Sequence, residues 1–549
     1  MKKYLSFFII ILLTIFISFN GFKQPGMYKT HDGDYHTIRA FHFYSELKHH
    51  QFPVRMSVDV PYSYGYSTFE FFYPFPYYVA TIFQFLGVST TLSWKLLQLI
   101  VTLASLSVFY LWMRKHLDKS PAITAIIVYG LVPFRFLTLY VTGQVGGYLG
   151  LLFVSLIGLS LNQLITSKRN NGVLLSIVIA CLITAHLLSI IIFFIPLSVY
   201  TSWLLYKNFS KQKLLSVFLW SFFGVCLSTF HLVPFMLEKS WVQLGNQILI
   251  DYTDHWVTIQ QLIYSPWGYG TSDSSTVDAM SFQIGLSILF SWAISIPLII
   301  FKNPKNKLII LFSLVFGLLT FLMTSYSKIV WAIIEPLQLI QFPWRLLAAT
   351  SLVGSFLVGL VSQQLTDKKR LAFTIVVVFL AIYNVRNYTK PWPNNWKNDI
   401  DYLNNQQDFY GPTDISWELM PVTATKRPLK TPSFILNASN SAILTNKINV
   451  PETGKIKKIL ELNLEEPTEI NLALWDLPVW NISVDDQLVK KKIAEDGTII
   501  VSVEKGTHVI KVILEKTMIQ KVSDIITLLS LIILIIYIAF PHSHKSTVK

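Results

Sequence analysis

Long apolar runs alternate with shorter polar segments along most of the chain. A helix that crosses the hydrocarbon core of a membrane needs about 20 mostly apolar residues, and the pattern predicts about twelve spans. The predicted spans are Tyr4–Phe19, Ser93–Met113, Ala122–Val141, Tyr148–Ile165, Val173–Ser189, Ile190–Tyr206, Val217–Phe235, Phe282–Phe301, Leu308–Tyr326, Leu346–Leu365, Leu371–Val385 and Val522–Phe540. Tyr73–Val88 is apolar but short and rich in Pro and Tyr, which favours an interfacial or re-entrant helix.

Basic residues between the spans predict the topology. Under this count, seven clusters fall on one side of the membrane, which the positive-inside rule makes cytoplasmic. The clusters are Lys2/Lys3, Arg114/Lys115/Lys119, Lys168/Arg169, Lys207/Lys211/Lys213, Lys302/Lys305/Lys307, Lys368/Lys369/Arg370 and Lys545/Lys549. Both termini are then cytoplasmic. The first span is predicted to be an uncleaved anchor, because Phe19-Asn20-Gly21 lacks a small-x-small cleavage pattern.

A different composition begins after the eleventh predicted span. A linker rich in Pro, Asn and Trp is followed, from about Ile448, by alternating apolar and polar residues with turn signals between them. The predicted strands are Ile456–Leu464, Ile470–Trp475, Trp480–Val484, Thr498–Val503 and Thr507–Leu514. The predicted fold is therefore an α-helical polytopic membrane protein with a C-terminal extracytoplasmic β-sandwich. Its predicted parts are a transmembrane body (1–385, with a first outer loop at 20–91), a linker and β-sandwich (386–521), a final span (522–540) and a cytoplasmic tail (541–549).

Composition supports a membrane protein and excludes other classes. Of the 549 residues, 52% are hydrophobic and only 14% are charged, whereas soluble domains carry about 25% charged residues. The net charge of +14 is spread over many loops, so no nucleic-acid partner is predicted. Cys181 and Cys226 both lie in apolar runs, which argues against a disulfide framework or a cysteine-based metal site.

The first outer loop holds the densest group of candidate chemical residues. Asp32 and Asp34 stand two residues apart, just before a segment that fits an amphipathic helix. Such a pair could act as a general base or hold a divalent cation, although Asp32 also suits a helix N-cap. Five of the 12 histidines lie here without a cysteine or a metalloprotease-type spacing, so zinc is not favoured. These histidines are His31, His36, His42, His49 and His50.

Several short motifs together carry a family resemblance. They are His31-Asp32-x-x-x-His36-x-x-Arg39, Gln51-Phe52-Pro53-Val54-Arg55, Tyr64-Gly65-Tyr66, Phe72-Tyr73-Pro74, Pro133-Phe134-Arg135, Gln341-Phe342-Pro343-Trp344-Arg345 and Trp475-Asp476-Leu477-Pro478-Val479-Trp480. In order and spacing the chain resembles bacterial multi-spanning membrane proteins labelled "6-pyruvoyl-tetrahydropterin synthase-related". Its end resembles membrane proteins implicated in cell-surface polymer glycosylation. Nothing in the residues supports pterin chemistry, and no pterin cofactor is expected.

The resemblance implies a GT-C-like glycosyltransferase in the bacterial cell membrane. Such enzymes carry an acidic residue in the first outer loop and use a sugar donor on a polyprenyl phosphate, which implies Asp32 as the catalytic residue. Asp34 stands where an apolar residue is commoner, so either carboxylate is a candidate base. The stretch Val141-Thr142-Gly143-Gln144 lacks the acid and base of a second expected motif.

Further substrate contacts are expected from cationic and aromatic residues near the outer ends of the spans. Arginine suits bidentate phosphate recognition, although an arginine at this depth also anchors spans by snorkelling. The predicted contacts are His31, His36, Arg39, Arg55, Tyr66, Arg135, His231 and Arg345. The expected partners are the lipid bilayer, a polyprenyl-phosphate-sugar donor and a cell-envelope polymer or glycolipid acceptor. The requirement for a metal ion stays open.

Two other functions compete with sugar transfer. A transporter or flippase of lipid-linked glycans would move substrate across the bilayer without forming a glycosidic bond. It should place carboxylates near the middle of the spans, where this chain has few. A non-catalytic membrane scaffold would use the β-sandwich to recruit a partner and would not depend on Asp32 or Asp34.

Overall fold

The structure is a computed structural model that describes residues 14, 16–57, 64–167, 171–245, 251–272, 279–302, 307–393, 396–404, 418–426, 445–449 and 457–540. Most of the predicted first span and the predicted tail 541–549 lie outside the described residues. Contacts between Cα atoms divide the chain into two compact units. The first unit comprises Met1–His36, Gly87–Val225 and Leu249–Ile400, and the second comprises Thr37–Leu86, Cys226–Ile248 and Asp401–Lys549.

Helices make up most of the described chain. In chain order they are α1 (Gly33–Lys48), α2 (Thr68–Phe71), α3 (Phe75–Phe85), α4 (Thr90–Met113), α5 (Lys119–Gly130), α6 (Pro133–Leu137), α7 (Val145–Thr166), α8 (Val173–His186), α9 (Leu188–Ile192), α10 (Phe194–Lys207), α11 (Lys211–Leu227), α12 (Thr229–Glu238), α13 (Ile259–Ile263), α14 (Leu286–Lys302), α15 (Leu308–Leu322), α16 (Lys328–Ile333), α17 (Glu335–Gln338), α18 (Leu347–Gln363), α19 (Asp367–Val385), α20 (Asp399–Asn404) and α21 (Met518–Ala539).

Five helical segments of the described chain are long and apolar enough to cross a membrane, or up to seven if each sharply bent helix pair counts as one span. The five are Thr90–Met113, Lys119–Thr142, Val145–Thr166, Pro343–Gln363 and Met518–Ala539. Each coincides with a predicted span. The prediction of twelve spans is not confirmed, because several predicted spans are shorter or broken helices. Helix α3, with 11 residues, is only about 17 Å long, which agrees with the prediction that Tyr73–Val88 does not span.

The core of the first unit is built around α18. In its extended segment Pro343–Gln363, 94% of the most apolar window is buried, and α18 packs against α5, α14 and α15. Glycines permit this close approach, as expected for helices that pack inside a membrane. A Cβ atom on Gly354 would stand 2.3 Å from Ile288 Cγ2, and one on Gly359 would stand 2.5 Å from Leu117 Cδ1.

The C-terminal β region belongs to the second unit and contains two antiparallel sheets. Strands are numbered in chain order, and β1 and β2 form a separate two-stranded pair in the first unit. The strands are β1 (Met27–Tyr28), β2 (Trp396–Lys397), β3 (Thr445–Asn449), β4 (Lys457–Leu464), β5 (Thr468–Trp475), β6 (Trp480–Val484), β7 (Gln487–Leu488), β8 (Lys492–Ile493), β9 (Thr498–Val503) and β10 (Gly506–Leu514). The sheet orders are β3-β4-β10-β6-β7 and β5-β9-β8. The five predicted strands match β4, β5, β6, β9 and β10 to within two residues.

Burial of every second side chain explains why these residues form strands. In β5 the inward positions Ile470, Leu472 and Leu474 are almost fully buried, and in β9 the same holds for Ile499 and Val501. Between β6 and β7 the chain reverses through Asp485 and Asp486, both at positive φ, which suits a two-residue hairpin turn. The apolar alternation and the Asp-Asp turn are both visible in the sequence, so this region was predictable.

We expect Gly354→Ala to destabilise the first unit. The added methyl group must displace the branched side chain of Ile288, and overpacking of this kind costs about 1–3 kcal/mol. The matched control is Gly317→Ala in α15, where the new Cβ would stand 3.6 Å from Trp292. The thermal unfolding midpoint in detergent should fall for Gly354→Ala alone. Equal midpoints for the two variants would contradict the tight α14–α18 contact.

Candidate functional site

The loop that carries Asp32 is hydrogen-bonded to the end of the helical segment Lys119–Thr142. His31 N donates to Val141 O and Asp32 N donates to Thr142 O, each at 2.9 Å. Gly143 ends the segment at φ +70°, a conformation that favours glycine. A Cβ atom on Gly143 would stand 2.1 Å from Thr30 Oγ1. The close approach of the two segments therefore requires this glycine, and it fixes the backbone of the candidate base.

Asp34 forms an ion pair that ties the same loop to the segment after α19. Lys397 Nζ donates to Asp34 Oδ2 at 2.9 Å, and the Asp34 side chain is only 13% exposed. Lys397 also belongs to β2, which pairs antiparallel with β1. The Asp34 carboxylate thus has a basic partner that connects α1 to β2.

The two predicted histidine contacts of the first unit have different surroundings. His31 Nε2 lies 2.9 Å from the carbonyl oxygen of Tyr269, and because a carbonyl only accepts, Nε2 must carry a proton. His36 is buried and stacks on Trp94, with 5.6 Å between ring centroids. His31 therefore lies beside the segment that contains Tyr269, whereas His36 packs on α4.

Arg135 is a buried cation with aromatic neighbours. It is 1% exposed, its Nη1 donates to Ser105 Oγ at 3.1 Å, and its guanidinium carbon lies 4.9 Å from the ring centroid of Tyr129. Its Nη2 atom makes no well-formed hydrogen bond to any residue of the described chain. A buried charge with no carboxylate partner among the described residues is costly, so Arg135 is suited to bind an incoming anion.

Arg345 is placed by the turn before α18. Its Nη1 donates to Ile340 O and to Gln341 Oε1, both at 2.9 Å, and its guanidinium lies over the Phe342 ring. Gln341 adopts φ +66°, which folds the chain back so that its side chain reaches Arg345. Arg345 also interacts electrostatically with His186 at the end of α8.

In the second unit, Arg55 is the centre of a buried polar network. Its Nε atom lies 3.1 Å from Glu70 Oε2, and its Nη2 atom donates to Asp524 Oδ1 at 2.6 Å and to Phe230 O at 2.8 Å. Asp524 also accepts from Lys516 Nζ at 2.7 Å. The guanidinium therefore joins α2, α12 and the start of α21, and its predicted role as a substrate contact stays a prediction.

Two buried carboxyl groups stand beside this arginine. Glu70 and Glu238 are 3% and 0% exposed, and Gln520 Nε2 donates to Glu238 Oε2 at 3.0 Å. Burial raises the pKa of the Glu70 carboxyl well above its usual value, Arg55 opposes that change, and the neighbouring Glu238 carboxyl adds to it. Glu70 therefore holds its proton to higher pH than an exposed glutamate does.

Neither Glu70 nor Asp524 was among the residues predicted from the sequence. The available signal was an acid inside an apolar run, since Glu70 stands in Phe69-Glu70-Phe71-Phe72 and Asp524 lies in the second turn of the apolar final helix. An acid in such a run needs a partner when it is buried. The sequence does not say that both acids meet Arg55.

The other predicted contacts of the second unit are buried in different surroundings. Arg39 lies over the Phe72 ring, 3.9 Å from its centroid, and it interacts electrostatically with Glu418. Tyr66 is fully buried with its ring 5.8 Å from that of Trp475, as part of an aromatic core. His231 follows Phe230 on α12 and interacts electrostatically with Arg55.

Within the described residues, no three His, Cys, Asp or Glu side chains are grouped closely enough to hold a metal ion.

The long apolar helices of the described chain are those of an integral membrane protein. A family model described as "6-pyruvoyl-tetrahydropterin synthase related domain; membrane protein" matches residues 69–390. The match covers more than half of the chain, and the protein belongs to this family. The resemblance inferred from the sequence motifs is thereby confirmed.

Among solved structures, two of Archaeoglobus fulgidus oligosaccharyltransferase are similar to parts of the chain. The apo form matches at 15% identity and a TM-score of 0.39, covering 71% of this chain and 56% of that one. The complex with Zn and sulfate matches at 15% identity and a TM-score of 0.40, covering 77% and 58%. The chain thus spans less than two thirds of these proteins. No curated protein matches the chain.

We expect Asp524→Asn to destabilise the second unit. Removing one partner of a partly buried ion pair is destabilising, because Arg55 keeps its charge and loses the carboxylate of Asp524. The control is the same substitution at Asp367, whose pair with Arg370 is exposed and contributes little. The thermal unfolding midpoint should fall only for Asp524→Asn. A comparable fall for Asp367→Asn would contradict the structural role of the Arg55 network.

We expect Glu418 to make stability depend on pH. Burial raises the pKa of Glu418 to about 7 against the opposing effect of Arg39. The protonated form is favoured in the folded state, so the stabilisation is present below the ordinary pKa of 4.5 and is lost as pH rises through about 7. The unfolding midpoint of Glu418→Gln minus that of the wild type should therefore increase between pH 5 and pH 8. The control is Glu465→Gln, at an exposed position.

Proposed function

We propose that this protein is a GT-C-type glycosyltransferase that moves a sugar from a polyprenyl-phosphate carrier to a cell-surface polymer or lipid. We also propose twelve spans in a bacterial cell membrane, both termini in the cytoplasm, and the β region and Asp32 loop outside. Membership in a family of membrane proteins supports a membrane-bound activity. The observation that carries the proposal is the anchoring of Asp32 to Thr142, on the segment that also contains Arg135.

In the proposed reaction, Asp32 takes the proton from an acceptor hydroxyl as its oxygen attacks the anomeric carbon of the donor. A hydroxyl group has a pKa far above neutral, so a positioned carboxylate is required. The bond between the anomeric carbon and the phosphate oxygen breaks in the same displacement, which inverts the configuration. The phosphate leaves with its negative charge, and a guanidinium stabilises it.

The proposed reaction uses the carboxylate of Asp32 and the guanidinium of Arg135, and both belong to the first unit. The Asp32 backbone is held by two hydrogen bonds to residues 141 and 142, and Arg135 lies within the same helical segment. Arg135 has no carboxylate partner among the described residues, which is expected of a cation reserved for a phosphate. His31, His36, Arg39, Arg55, Tyr66, His231 and Arg345 are proposed as further substrate contacts.

We expect Asp32→Asn to lower the rate of sugar transfer by about 10²–10⁴-fold, the usual contribution of a general base. Asp34→Asn weakens the ion pair with Lys397 and should cost less than about tenfold. The matched control is Asp254→Asn, an exposed residue. The assay measures radiolabelled sugar passing from polyprenyl-phosphate donors into membrane glycans, at equal membrane abundance of each variant.

Each outcome distinguishes the proposal from its rivals. Full transfer in both Asp32→Asn and Asp34→Asn membranes would refute the assignment of the base. Movement of a lipid-linked glycan across vesicles without a new glycosidic bond would identify a transporter instead. A phenotype unchanged in every variant would identify a scaffold.

A further inference from the structure

A polar cavity lies at the ends of α4, α7 and α10, away from the Asp32 loop. Its volume is about 400 Å³, and its walls include Lys115, His116, Asn162, Trp203 and Lys207. The Asp32 loop meets the chain just before α7 begins, whereas Asn162 lies in the last turns of α7. A helix of 22 residues is about 33 Å long, close to the thickness of the hydrocarbon core.

A hydrogen-bond chain fixes the back wall of the cavity. Trp112 Nε1 donates to Tyr200 Oη at 2.8 Å, and Asn162 Nδ2 donates to the same oxygen at 3.3 Å. The Tyr200 hydroxyl proton is therefore available for His116 Nε2, which lies 2.8 Å away. His116 Nε2 accepts, so the neutral ring carries its proton on Nδ1.

Burial lowers the pKa of His116 to about 4, and the positive charges of Lys207 and Lys115 contribute to the decrease. The imidazole is therefore neutral at physiological pH. Both lysines line the same cavity as this ring. The positive charge of the cavity comes from the two lysines.

Three further donor groups line the cavity: the indole N–H of Trp203 and the ammonium groups of Lys115 and Lys207. Trp203 is 9% exposed, and its indole Nε1 has no hydrogen-bond partner in the described chain. Lys207 lies over the Trp203 ring, 4.5 Å from its centroid. Neither Lys115 nor Lys207 forms an ion pair with a described carboxylate. Lys213 Nζ donates to Leu164 O in the last turn of α7 and to Ser167 O just after it.

We propose that this cavity binds the phosphate group of an anionic membrane lipid. Two ammonium groups and a buried indole N–H match an oxyanion, and basic pockets between spans are suited to lipid head groups. The proposal is independent of the proposed sugar transfer, because the cavity lies at the opposite end of α7 from the Asp32 loop.

The neighbouring surface favours a lipid over a soluble phosphate. A second cavity of about 400 Å³ shares Gln163 and Ser167 with the first and continues along Val173, Leu174 and Ile177 of α8. Leu174 and Ile177 are each 38% exposed. An acyl chain attached to the bound phosphate would cover these apolar side chains, whereas free phosphate would leave them uncovered.

The test titrates the purified full-length protein in detergent with phosphatidylglycerol, phosphatidylcholine and inorganic phosphate, and measures bound lipid by native mass spectrometry. The double variant Lys115→Gln/Lys207→Gln should bind phosphatidylglycerol about tenfold more weakly. The control double variant Lys119→Gln/Lys211→Gln removes the same charge from the same loops outside the cavity, and its affinity should change less than about twofold. Trp203→Phe keeps the ring over Lys207 but removes the N–H donor, and it should weaken binding by a smaller factor.

Three results would overturn the proposal. Equal losses in the two double variants would show general attraction to surface charge, as snorkelling lysines produce. Equal affinity for phosphatidylcholine and phosphatidylglycerol would exclude recognition of an anionic head group. Displacement of the lipid by inorganic phosphate at equal concentration would assign the cavity to a soluble ligand. Thermal midpoints equal to the wild type confirm that each variant is folded.

Discussion

The end of helical hydrogen bonding at Gly143 is the constraint on which the candidate site depends. Backbone carbonyls at the end of a helix lack partners within it, and burial without a partner is costly. Val141 O and Thr142 O are satisfied by the amides of His31 and Asp32. The requirement to satisfy these carbonyls therefore also positions the proposed base. A substitution that continued the helix through Gly143 would remove the docking point of the loop.

Charges are distributed so that structural and proposed chemical roles fall on different residues. Asp34 and Asp524 have basic partners close by, and they hold distant segments of their units together. Arg135 is surrounded by aromatic rings and neutral oxygens. Because a fully paired ion is already stabilised, an unpaired buried cation gains more from an incoming anion. This difference separates Arg135 from Arg55, although both were predicted to contact substrate.

Local pattern was enough to predict the long helices and the strands, but not the contacts between them. The spans around α4, α7, α18 and α21 follow from unbroken apolar runs. The predicted span Ile190–Tyr206 is instead broken at Phe193 between α9 and α10. Because Phe193 is apolar, the hydropathy profile shows no interruption at this position. Arg55 and Asp524 are 469 residues apart. No periodicity connects residues so distant, so their pairing required the folded structure.

The β1–β2 pair and the Asp34–Lys397 ion pair also set an order for biosynthesis. The loop before α1 and Asp34 in the first turn of α1 are made early, yet Lys397, the partner of Asp34, follows 363 residues later. At about 5–20 residues per second, the ribosome needs roughly 20–70 s to supply it. The loop must wait for that interval beside an incomplete helical body. A chain released before Lys397 would keep its early helices but could not complete the environment of the candidate base.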